Sequence, residues 1–155
     1  MTTLHEYIAT SESHTCFDTE TGNYALGRLA AGYRDATRKE KAHGAVWYRR
    51  ANEYARQLSH FSGLSLAQVA AIIARLSPQV HWETNRLAAI EICTRTPLEN
   101  ALRCYGRNVS IAEAIRDGAP VSQFFRGATG PKITAFFSNV YAPETSNAVT
   151  VDSWA

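Results

Sequence analysis

Hydrophobic positions recur at helical spacing along most of this chain. Tyr24, Leu26, Leu29, Ala30 and Tyr33 fall roughly on one face of a first predicted helix. The polar run from Arg34 to Lys41 reads as its solvated end. Val46, Trp47, Arg50, Ala51, Tyr54, Ala55 and Leu58 predict a second helix over about 45–61. Ser65, with Gln68 three residues on, has the form of a capping box, in which each side chain satisfies an N–H that the helix start leaves open. Leu66, Val69, Ala70, Ile72, Ile73 and Leu76 make the helix that follows apolar nearly all round, so it is expected to be the central buried element. Pro78 ends it, because the residue before a proline disfavours the α region.

A fourth helix fits 82–93, with Leu87, Ala88, Ile90 and Ile92 inward, and Thr96-Pro97 breaks it before a short fifth helix over about 98–104. Ser110 with Glu113 reads as another capping box and Gly118 as a terminator, giving a sixth helix over about 110–117. A short helix with Phe124 and Phe125 precedes a Gly-x-x-Gly turn. Pro131 then opens a helix to Tyr141 with Ile133, Phe136, Phe137 and Val140 as its apolar stripe. Val149-Thr150-Val151 is one extended piece, too little for a sheet. The pattern predicts an all-α domain over residues 21–155 with a hairpin at 124–141, preceded by an N-terminal arm over residues 1–20.

Composition narrows the class without fixing the function. The chain has 155 residues, 45% of them hydrophobic and 19% charged, which suits one domain with a core of its own. A net charge of +2 permits a nucleic-acid partner without demanding one. Cys16, Cys93 and Cys104 are widely spaced and odd in number, a usage that points to a reducing cytoplasm and offers neither a disulfide framework nor a four-cysteine iron–sulfur site. His5, His14, His43 and His60 show no metal-ligand spacing with them, so no metal and no cofactor is expected. No apolar run approaches the ~20 residues of a membrane span, and the start carries no signal-peptide pattern, so no membrane partner is expected.

The densest chemistry lies near the end. Gly127 and Gly130 bracket a tight turn with Arg126 before it and Thr129 within it, and Lys132 stands in the first turn of the next helix. Backbone N–H groups at such a turn suit a phosphate oxygen. The lysine beside them is either a phosphate contact, a nucleophile once it has shed its proton, or a solvated side chain. Asp152 follows the β-branched run and either caps a last turn or serves chemistry. Trp47 and Tyr48 either stack on a base or face the core as a pair, and His81 and Trp82 either line a pocket or pack.

Gly127-Ala128-Thr129-Gly130-Pro131-Lys132, a helix and then Val151-Asp152 resemble the hairpin and catalytic segment of helix-hairpin-helix DNA glycosylases of the endonuclease III type. Leu76-Ser77-Pro78-Gln79 is similar to that family's Leu-Ser-x-Gln segment, and Tyr105-Gly106 with Ala112-Glu113-Ala114-Ile115 to its next helix start. The resemblance covers about residues 66–152. It implies that the hairpin (Arg126, Gly127, Thr129, Gly130) grips a phosphate of double-stranded DNA and that Gln79 fills the space of an extruded base. It further implies that Lys132 attacks the sugar and that Asp152 activates the amine or supports the developing positive charge. The chain departs from the family in lacking the cluster cysteines and in ending three residues after Asp152, where the resembled enzymes continue with further helices. Two functions follow as expectations. One is a glycosylase, with or without lyase activity, that excises or handles modified bases, as in small phage-borne relatives linked to hypermodified thymine. The other is an inactive, shortened phage protein that binds DNA or a host protein and interferes with its host.

Overall fold

The structure, a computed structural model, describes residues 27, 30–32, 34–125, 130–148 and 150. The chain divides into two compact units, one of Met1–Lys41 with Ser153–Ala155 and one of Ala42–Asp152. In the first, Lys41 Nζ donates to the Arg34 carbonyl at 3.2 Å. The predicted arm, most of the face from Tyr24 to Tyr33, and Arg126, Gly127, Thr129 and Asp152 lie outside the described residues.

Five α-helices have both ends among the described residues: α1 Arg38–Ser62, α2 Leu66–Leu76, α3 Trp82–Thr94, α4 Gly106–Arg116 and α5 Pro131–Tyr141; residues 30–32, 34 and 35 are helical as well. Two 3-10 turns, Ala101–Arg103 and Val121–Phe124, connect them, and no strand occurs among the described residues. The all-α expectation holds.

Helix α1 begins well before the expected residue 45. Thr37 caps it: the Glu40 N–H donates to Thr37 Oγ1 at 3.2 Å while the Thr37 N–H donates to Glu40 Oε2 at 2.7 Å. The charged stretch therefore holds two ends: Arg34 and Asp35 are still helical, with the Ala36 N–H donating to the Gly32 carbonyl at 3.0 Å, and Thr37 then starts α1 by reciprocal capping. The predicted box at Ser65 is present, with Gln68 N donating to Ser65 Oγ and Ser65 N to Gln68 Oε1. Gln68 also donates through Nε2 to the Ile115 carbonyl at 2.9 Å, which ties the start of α2 to the end of α4.

All eight residues from Val69 to Leu76 are buried, so α2 is the central helix, packed against α3, α4 and α5. Ala51, Ala55 and Leu58 of α1, Ala88, Ala89 and Ile92 of α3, and Phe136 and Val140 of α5 close the core around it. Buried Asn52 of α1 donates to the Val140 and Tyr141 carbonyls at 2.7 and 2.9 Å, satisfying acceptors that the end of α5 leaves open.

The expected fifth helix shrinks to a 3-10 turn. Glu91, buried on α3, accepts from the Asn100 and Ala101 N–H groups and from Asn100 Nδ2, which holds that turn against α3. Helix α4 begins at Gly106, so Ser110 lies inside it with Oγ donating to the Gly106 carbonyl. Its predicted capping role is therefore wrong: the hydroxyl bonds back into its own helix. Gly118 does end α4, at φ 101°, a backbone region open to glycine.

Candidate functional site

Tertiary packing brings four segments of the Ala42–Asp152 unit to one cavity of about 360 Å³. Its aromatic walls are Trp47 and Tyr48 from α1, Trp82 from α3 and Phe136 from α5. Trp47 stands at their centre: its ring lies 5.0 Å from Tyr48, 4.9 Å from Trp82 and 5.8 Å from Phe136, centroid to centroid. The Tyr48 contact is edge-on at 89°, an arrangement favoured by the ring quadrupoles. The Trp47–Tyr48 pair packs against the core and also lines the cavity.

Polar groups complete the lining. Trp82 and Asn85, three apart, share a face of α3, and Lys132 and Phe136, four apart, share a face of α5. Lys132 is half-buried at the second position of α5, directly after Pro131, with Gly130 as the capping residue. The Gly130 carbonyl accepts from Ile133 N at 3.1 Å and from Thr134 N at 3.3 Å as α5 begins. Ser77 and Val80, on the turn between α2 and α3, supply another side. Thr150 closes the lining from the chain's last stretch, where buried Asn139 of α5 fixes it by donating to the Ala148 carbonyl at 3.0 Å and to Thr150 Oγ1 at 3.2 Å.

Gln79 and His81 flank this cavity without lining it. Gln79 is exposed in the left-handed region at φ 58°, which costs a non-glycine residue roughly 1 kcal/mol. The Tyr105 hydroxyl donates to its Oε1. His81 is the exposed capping residue of α3 and makes no side-chain cap hydrogen bond.

A second space of about 480 Å³ shares Trp47 and Trp82 with this cavity and is lined also by Arg50, Tyr54 and Arg86. The Arg86 guanidinium lies over the Tyr54 ring at 4.7 Å, and the Tyr54 hydroxyl donates to the Arg86 carbonyl at 2.8 Å. Burial pushes the Tyr54 phenol up to about 12, so it remains a neutral donor. Burial likewise raises the Cys93 thiol to about 12, which holds it in the unreactive protonated form.

Sequence reasoning singled out Trp47, Tyr48, Trp82 and Lys132 but passed over Ser77, Val80, Asn85, Phe136 and Thr150 as lining residues. The available signal for Asn85 was an amide set three residues after Trp82 within an otherwise packing-rich helix. Among the described residues no group of His, Cys, Asp or Glu is arranged to hold a metal, and no single helix is long and apolar enough to cross a membrane.

A protein family of unknown function, DUF7178, matches residues 13–155, and the chain belongs to that family. No curated protein and no solved structure matches it.

Proposed function

We propose, for this member of a family without an assigned activity, a DNA-binding protein of the helix-hairpin-helix glycosylase type that draws a nucleotide out of the duplex and acts on it with Lys132. One observation carries the reading: the lysine that follows the Gly-Pro helix start lines the same cavity as Trp47, Tyr48 and Trp82. A cavity of this size and apolar character suits a flat ring, and edge-on and tilted aromatic walls offer it stacking surfaces. An amine at its border meets the sugar of a base held inside.

In the proposed step Lys132 Nζ bonds to C1′ of the deoxyribose as the C1′–N bond to the base breaks, with that electron pair leaving on the base. The base takes up a proton, and the amine loses one. Opening of the sugar ring then gives a Schiff base. Asp152 is assigned the carboxylate that supports the positive charge developing on the sugar. Gln79 occupies the vacated position in the stack, and the strain of its backbone supports that role, since such strain concentrates at functional turns. Arg50 and Arg86, which line the neighbouring space with Trp47 and Trp82, are assigned the phosphates flanking the extruded nucleotide.

Borohydride trapping on duplex DNA containing an abasic site tests this directly. The expected result is a covalent adduct to wild-type protein and none to Lys132→Ala, which still binds the duplex. An absence of adduct on abasic and modified duplexes alike removes the chemistry. Duplex binding that survives without it would mark a DNA-binding protein alone.

A further inference from the structure

Asn85 is only 1% exposed and lines the cavity. Its Nδ2 donates to the Ile73 carbonyl at 3.0 Å. That carbonyl lacks its ordinary helical donor, because the Ser77 N–H turns to the Ala74 carbonyl as α2 ends. A carbonyl only accepts, so the amide orientation of Asn85 is fixed by chemistry, with nitrogen toward Ile73. Asn85 Oδ1 is then left with no hydrogen-bond partner among the described residues, although it is buried. Ser77 follows the same logic: its hydroxyl donates to the Ala74 carbonyl at 2.9 Å, which leaves its oxygen with lone pairs only. Two neighbouring polar groups of one cavity are thus committed as acceptors, one of them buried and unmet.

A buried acceptor without a donor is unfavourable, and a ligand that brings the donor recovers that loss while one that cannot leaves it in place. We infer that Asn85 Oδ1 is the specificity-determining acceptor of the cavity, which takes planar nitrogen heterocycles presenting an N–H on the ring edge and rejects those alkylated at that nitrogen. The inference rests on the reading of this cavity as the seat of a nucleobase, and it names what that seat selects. Trp47 and Trp82 supply affinity for any flat ring, and Asn85 supplies the choice among them.

The test uses free rings and the full chain. Titrations followed by NMR compare 1-methylthymine with 1,3-dimethylthymine, and 9-methyladenine with its N6,N6-dimethyl derivative. The N–H member of at least one pair is expected to bind roughly tenfold tighter than its alkylated partner, with a shift of the Asn85 side-chain amide resonance on binding. Asn85→Ser is expected to abolish the preference. Because that variant also loses the bond to Ile73, the wild-type ligand series and the amide resonance decide the matter by themselves. Equal affinities within both pairs, no binding by any ring, or an unmoved Asn85 resonance each overturn the inference. A borohydride adduct obtained alongside any of those results leaves the Lys132 chemistry standing. Selection for N–H rings without an adduct removes the chemistry and keeps the selectivity.

Discussion

Glu91 shows how one residue can organise a turn. Burial alone pushes its carboxyl up, but N–H donors from Ala101, Asn100 and Glu99 together outweigh that and hold it below the usual range. A glutamate in the unfolded chain titrates near ~4.3, so the stabilisation from Glu91 is complete above that value and is lost as the pH falls through the lower, folded one. Asp117, held at about 2 by hydrogen bonds from Arg116 and Arg95, adds its share in the most acid part of the range. Urea denaturation between about pH 6 and about pH 3 should therefore show stability falling with acidification, and Glu91→Gln should flatten that dependence. Single polar residues of this kind were hidden in the sequence. Asn85, Glu91 and Asn139 each sit among apolar neighbours at helical spacing, and nothing in the pattern says which open carbonyl or N–H they will meet. Those partners arise 9 to 12 residues away, on segments whose course the local pattern does not set.

At the scale of the element, legibility followed the strength of the local signal. Helices α2, α3 and α5 were readable because an apolar face, a cap or a proline marked each start. The start of α1 was missed because Thr37 and Glu40 stand in a charged run that also reads as a solvated tail. Ser110 and Glu113 have the spacing of a cap, yet α4 begins a turn earlier, where Tyr105 and Gly106 carry no such mark. Helix α2 bears most of the core, and its interior should be far less tolerant than its cap. Ile73→Ala is expected to destabilise by about 3 kcal/mol, through lost burial and the cavity left behind. Ser65→Ala is expected to cost about 1 kcal/mol, because water can replace an exposed cap. Urea midpoints with unchanged slopes would measure both, and equal losses would show that the core relaxes around the deletion.

For the whole molecule, a net charge of +2 is too small to attract a polyanion by itself, so any grip on DNA must come from where the charges lie. Arg50 and Arg86 stand on adjacent helices beside the aromatic cavity. If they meet phosphates, affinity for duplex DNA should fall steeply with salt, and Arg50→Ala should lower the slope of log K against log salt by about 1. A slope unchanged in the variant would remove Arg50 from the interface, and salt-independent binding would remove the phosphate track altogether. The overall all-helical architecture was evident from periodicity, whereas the convergence of α1, α3 and α5 on one space was not, since their meeting depends on tertiary packing around α2.

Trp47 and Trp82 border both the cavity and the arginine-lined space. They form a party wall, and a party wall cannot be rebuilt for one tenant alone. Any enlargement of the cavity by trimming either indole also redraws the neighbouring room where Arg50 and Arg86 stand, so under the proposed function ligand choice and strand attachment change together.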